Sequence, residues 1–126
     1  MTDADVRSFF NAYGAAFLET EDAIAAFYAA PCMTARQGVV HLNVTPQDVH
    51  AFFGAVLRQY RANGCTQGDM LRLESTPLGA NSVAVTIAWA YKNATDRVLW
   101  ESTFTYQLYK GPDGWKILLQ TIHDAS

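Results

Sequence analysis

Few side chains in this sequence can do chemistry near neutral pH: three histidines, two cysteines and a scatter of tyrosines and arginines. His123 closes the last alternating stretch and is the candidate acid–base group, since imidazole changes charge near physiological pH. That role needs its ring within about 3 Å of a substrate proton, or one water away. Asp124 follows it directly, so on a strand the two point to opposite faces and form no dyad. Arg36 is the candidate anion clamp: turned inward, its guanidinium needs a partner, which a ligand carboxylate or phosphate would supply bidentately. On an edge in water it has no such need. Tyr13 and Tyr106 lie on apolar stripes, either as core tyrosines with a satisfied hydroxyl or as donors projecting into an interior. Tyr28, His41 and Trp89 complete the expected ligand contacts. His50 flanks an apolar stripe and reads as exposed.

Other chemistries lack their residues. There is no glycine-rich phosphate loop, no nucleophile elbow and no HExxH. Cys32 and Cys65 stand alone, without the spacing of a metal site, and read as free thiols, so neither metal nor cofactor is expected. A net charge of -3 and a pI near 5.4 argue against nucleic acid, which needs clustered Lys and Arg. No run approaches the roughly 18 apolar residues of a membrane span. The acidic start Met1-Thr2-Asp3-Ala4-Asp5 lacks the basic and apolar parts of a signal peptide, and a cytoplasmic location is expected. Only 17% of residues are charged, against a typical ~25%. That deficit points to apolar surface covered elsewhere, in a ligand pocket or a dimer.

These residues have to be positioned by one domain, since 126 residues leave no room for two ordinary cores. Thr2 with Asp5 makes a capping pair, and Val6, Phe9, Phe10, Tyr13 and Phe17 recur at helical steps behind it. Thr20 restarts a short helix with Ile24, Phe27 and Tyr28 inward, which Pro31 is expected to stop. Cys32 to Val44 reads as a hairpin turning at Gln37-Gly38. Thr45-Pro46-Gln47-Asp48 opens a third helix, striped by Val49, Phe52, Phe53, Val56, Leu57 and Tyr60 and ended by Asn63-Gly64.

Four strands follow: Met70 to Pro77, Val83 to Lys92, Val98 to Lys110 and Trp115 to His123. Their short connections imply an antiparallel meander. Helices first and sheet last make an α+β layer architecture. Alternation turns Val83, Val85, Ile87, Trp89 and Tyr91 toward the helices, with Val98, Trp100, Phe104, Tyr106 and Leu108 from the next strand. In the last strand it sends Trp115, Ile117, Leu119, Thr121 and His123 the same way. The small, threonine-rich rows are left for an outer face suited to a second subunit.

That order resembles the NTF2-like superfamily, the cystatin-like α+β cone that includes SnoaL-like cyclases and ketosteroid isomerases. The likeness spans nearly the whole chain. It rests on the opening helices, Phe10-Asn11-Ala12-Tyr13 through Ala26-Phe27-Tyr28-Ala29. It rests also on the final hairpin, Thr105-Tyr106-Gln107-Leu108-Tyr109-Lys110 with Asp113-Gly114-Trp115-Lys116-Ile117. The resemblance implies three helices packed on a curved antiparallel sheet, with a pocket inside the cone. Ketosteroid isomerases carry a tyrosine on the first helix, which matches Tyr13. Their aspartate base falls at Arg36, their protonated aspartate at Tyr106, and a pocket aromatic near His123. Arginine cannot act as a base at ordinary pH, so isomerase chemistry by that route is not expected.

Two readings of function follow. One is a homodimer binding a small, partly apolar molecule, anionic if Arg36 points inward, through Tyr13, Arg36, Tyr106 and His123, with cofactor-free isomerisation, dehydration or ring closure as the chemistry. The other is a non-catalytic carrier or dimerising scaffold whose cone is packed shut. An open cone, ~300 Å³ or more, discriminates between them.

Overall fold

The computed structural model describes residues 1–124. Helix α1 (Asp3–Phe17) and helix α3 (Pro46–Ala62) both begin with a reciprocal capping box, Thr2 with Asp5 and Thr45 with Asp48. Each box satisfies two backbone donors that a helix start leaves open. The bonded carboxylates of Asp5 and Asp48 are held below the usual carboxylate range by these backbone N–H groups. Between the two helices lies α2 (Glu21–Ala25), capped by Thr20.

Six strands form one sheet: β1 (Tyr28–Arg36), β2 (Val39–Asn43), β3 (Gln67–Pro77), β4 (Ser82–Lys92), β5 (Val98–Gly111) and β6 (Gly114–Ile122). Their spatial order is β2-β1-β6-β5-β4-β3. The meander from β3 to β6 is as expected. The join of the hairpin to it is new: β1 runs parallel to β6, with Tyr28 beside Ile117 and Met33 beside Leu119.

Three expectations are corrected. Val98, expected to face the helices, is 46% exposed and pairs with Lys92 past Leu99, an extra residue in the β4–β5 ladder. The second helix ends at Ala25, and Tyr28 already stands in a strand that carries Pro31. Pairing with β6 and stacking of Tyr28 on Phe53, centroids 4.0 Å apart, outweigh the helical spacing of Phe27 and Tyr28. The alternation of β6 also fails past its middle. Leu108 pairs with Ile117 while Gln107 pairs with Leu119, so Leu118 is an extra residue in the ladder. A one-residue insertion exchanges the faces of everything after it. Gln120 and Ile122 therefore turn inward, and Leu119, Thr121 and His123 lie on the outer face.

The core fills the space between helices and sheet. Val6, Phe10 and Tyr13 of α1, Val49, Phe53 and Leu57 of α3, and the rows Val83–Tyr91 and Phe104–Leu108 are buried together. Each such apolar side chain contributes about 1.5–3 kcal/mol relative to exposure. Among the described residues no helix is long and apolar enough to cross a membrane.

Candidate functional site

The expected site residues on the helices and central strands meet in the middle of the cone. Helix α1 brings Tyr13, β1 brings Tyr28 and Thr34, β4 brings Trp89, β5 brings Tyr106 and β6 brings Gln120, all buried. Their polar atoms close on one another. The Tyr28 hydroxyl donates to Gln120 Oε1 at 2.9 Å, and Gln120 Nε2 donates to Thr34 Oγ1 at 3.0 Å. With its proton so committed, Tyr28 is the acceptor in its 2.6 Å bond to the Tyr13 hydroxyl. Trp89 Nε1 donates to the Tyr106 hydroxyl at 3.0 Å.

Burial pushes the phenols of Tyr13, Tyr28 and Tyr106 well above their ordinary range, and each is raised further by a neighbouring phenol. All three are neutral hydrogen-bonding groups at physiological pH, neither bases nor nucleophiles. Around them the rings leave little room. Phe10 lies 4.8 Å from Tyr106, and Phe104 stacks on Tyr106 at 5.6 Å. Tyr13 touches Phe10, Phe17, Phe27 and Trp89. These rings pack against one another through the middle of the core.

The remaining expected residues lie apart from this cluster. Arg36 continues the inward row of Cys32 and Thr34, but at the strand end, exposed, with no ion pair among the described residues. His123 is exposed on the outer face. Its Nε2 lies 2.7 Å from Thr105 Oγ1, which in turn lies 2.8 Å from Thr86 Oγ1. His41 is exposed on β2, stacked on Phe52 with its Nε2 3.0 Å from Asn43 Oδ1. Among the described residues, buried Asn43 Nδ2 has no hydrogen-bond partner. No four of the expected residues converge on one open point.

Sequence reasoning missed Gln120 and Thr34, the polar links of the buried chain. Only the Leu118 bulge turns Gln120 inward, and no glycine or proline marks it. It also missed the His50–Asp22 pair, 2.9 Å apart between α3 and α2. That pair borders a groove of about 760 Å³ floored by Ala25, Ala29, Pro31 and Leu118, where β1 and β6 part between Tyr28 and Met33. A second groove of about 700 Å³ lies between α1 and β3, over Gly14, Gly68 and Trp89. The first is also lined by Tyr28 and Val49 and the second by Phe10, so each borders the buried cluster from one side. Among the described residues no three His, Cys, Asp or Glu side chains converge as metal ligands, and Cys32 and Cys65 are buried free thiols.

Residues 3–125 match the family described as "NTF2-like protein (DUF6841)". No curated protein matches the chain at a significant level. Among solved structures, an NTF-2 like protein of unknown function from Shewanella oneidensis superposes with TM-score 0.76 at 18% identity, over 98% of this chain and 100% of that one. A Xanthomonas campestris protein, named as a candidate calcium/calmodulin dependent protein kinase II association domain, gives 0.70 at 13%, over 97% and 88%. A candidate aromatic ring hydroxylase from Novosphingobium aromaticivorans gives 0.68 at 12%, over 96% and 87%. An association domain and a hydroxylase in name share this fold, so the fold does not choose a function.

Proposed function

The chain belongs to the NTF2-like family DUF6841, and from that premise we infer that it acts as a dimerising, non-catalytic module whose cone is packed shut. The observation that carries this reading is the closed chain Tyr13–Tyr28–Gln120–Thr34, whose members bond one another where a ligand would need them free. A pocket enzyme keeps some polar groups unspent for its substrate; this interior uses its hydroxyls on itself. The expected acid–base group, His123, supports the same reading from the opposite side of the sheet, where it lies among threonines.

The partner is a second copy, through the outer sheet face. Its middle is uncharged: Ala84, Thr86 and Ala88 of β4, Thr103, Thr105 and Gln107 of β5, Leu119 and Thr121 of β6. Small and β-branched side chains on a sheet give a shallow surface that a copy can meet with little side-chain entropy to lose. A standard dimer covers roughly 800 Å² per partner, about a ninth of the 7161 Å² that the chain exposes. The Xanthomonas neighbour's name as a candidate association domain is in keeping with this reading.

Sedimentation equilibrium of the wild type and of Thr105→Arg is the test. The wild type is expected at twice the chain mass and Thr105→Arg, with a cation at the centre of the face, at the chain mass. A wild type that stays at the chain mass at every attainable concentration would refute the reading.

A further inference from the structure

The two edges of the sheet are built differently. The β3 edge carries Asp69, Arg72 and Glu74 and ends on Pro77, the charges and proline that keep an edge from pairing with another chain. The β2 edge has none of these. Val39-Val40-His41-Leu42-Asn43-Val44 contains no charged side chain and no proline. Val39, Val40, Leu42 and Val44 are 67%, 63%, 53% and 55% exposed, with Met33, opposite Leu42, beside them.

Hairpin register says which backbone groups the edge offers. The turn holds two residues, Gln37 and Gly38, both at positive φ (49° and 78°), as a tight I′-type hairpin requires. The flanking pair Arg36–Val39 is then hydrogen-bonded, and so, by alternation, are Thr34–His41 and Cys32–Asn43. Val40 and Leu42 therefore turn their N–H and C=O away from β1, toward the open edge. The same alternation directs Met33 and Ala35 of β1 toward β6, where both find partners. The Val44 N–H is already taken by the Asp48 carboxylate at 3.1 Å.

We propose that the β2 edge is a docking site for the β2 edge of a second copy, antiparallel and centred on His41. Val40 of each chain pairs with Leu42 of the other, so two N–H and two C=O groups per copy close four hydrogen bonds across the pair. The charge pattern selects this occupant. An uncharged strand meets itself without bringing like charges together, whereas β3 against itself would face its own Asp69, Arg72 and Glu74. On the outer face the pairing sets Val40 beside the partner's Leu42, extending the apolar patch through Met33 across both copies. The contact is small: a standard stable interface buries roughly 1,200–2,000 Å² in total, more than one short strand supplies, so the pairing is weak and concentration-dependent. It goes beyond the face contact described above and does not depend on it.

In this register the two His41 residues form a non-hydrogen-bonded antiparallel pair, with Cα atoms about 4.5 Å apart, inside the span of a disulfide. The test is oxidative cross-linking of His41→Cys against Val39→Cys, with amide hydrogen exchange followed as protein concentration rises. Cys32 and Cys65 are buried and stay out of the reaction. His41→Cys is expected to cross-link at least about tenfold faster than Val39→Cys, because only position 41 lies opposite itself at disulfide distance. The Val40 and Leu42 amides are expected to gain protection with concentration. The double variant Val40→Lys/Leu42→Lys, at two exposed positions, should lose that protection while melting like the wild type. Val40 and Leu42 amides that exchange at the unprotected rate at all concentrations, or equal cross-linking at 39 and 41, would overturn the proposal. Thr105→Arg in the His41→Cys background separates the two contacts: edge cross-linking persists in it whether or not the face dimer forms.

Discussion

Removing the Tyr28 hydroxyl strikes the middle of the buried chain. Tyr28→Phe keeps the ring stacked on Phe53 and deletes two hydrogen bonds, one to Tyr13 and one to Gln120. Each is worth about 1 kcal/mol net, and an acceptor left buried without a donor costs about 1–3 kcal/mol. Gln120 Oε1 is such an acceptor, since Gln120 is 4% exposed. The Tyr13 hydroxyl, the donor to Tyr28, also loses its acceptor, while its ring keeps its edge contact with Tyr106. The sum is a loss of about 3–5 kcal/mol, or a melting temperature lowered by roughly 10–20 °C for a chain of this length.

Urea and thermal unfolding measure it, and Gln120→Leu with the double variant completes a cycle. In the double variant no orphaned Oε1 remains, so its cost should fall below the sum of the singles by about 1 kcal/mol or more. A Tyr28→Phe loss under about 0.5 kcal/mol would mean that water can replace both bonds, and would refute the closed interior.

Other consequences can be measured with equal directness. Trp89→Phe removes the donor to Tyr106 and leaves a cavity, and is expected to cost about 2–3 kcal/mol in urea unfolding. Thr45→Ala deletes the side-chain acceptor of the α3 capping box and should cost about 1 kcal/mol in the same assay. Arg36→Ala changes an exposed side chain and should alter stability by less than about 0.5 kcal/mol, with any melting shifts in a panel of carboxylates and phosphates unaffected. Alkaline pH acts through the buried phenols. Tyr13, Tyr28, Tyr91 and Tyr106 are raised well above 10.0, mainly by burial. Above that pH the unfolded chain releases protons that the native chain keeps. Stability should hold below about pH 10 and then fall by about 1.4 kcal/mol per pH unit for each phenol. Phenolate absorbance of these four is expected to appear together with unfolding, not before it.

The helices were legible because their signals are local: the capping boxes, Pro46, and Asn63-Gly64, whose glycine adopts φ 83°. So was most of the meander, whose inward rows alternate along β4 and along β5 from Trp100 to Leu108. Two things were not legible, both consequences of distant pairing. Tyr28 looks helical until Ile117 lies beside it. His123 looks inward until Leu118 bulges, and nothing in Ile117-Leu118-Leu119 distinguishes a bulged residue from a paired one. That single residue moves the imidazole to the outer face and brings Gln120 into the core in its place. Arg36 falls on the expected row, but that row ends in solvent. The tyrosines were placed on buried stripes from sequence alone. That their hydroxyls bond to one another depends on side-chain reach across four elements, which periodicity does not encode.

The most direct measurement is the exchange of the Tyr28 hydroxyl proton with water, followed by nuclear magnetic resonance in the wild type. A proton donated to Gln120 Oε1 within a filled interior is predicted to give its own slowly exchanging signal, which vanishes in Tyr28→Phe. A Tyr28 hydroxyl proton averaged with bulk water would mean that solvent reaches the centre of the cone, and would contradict the packed interior on which the account rests.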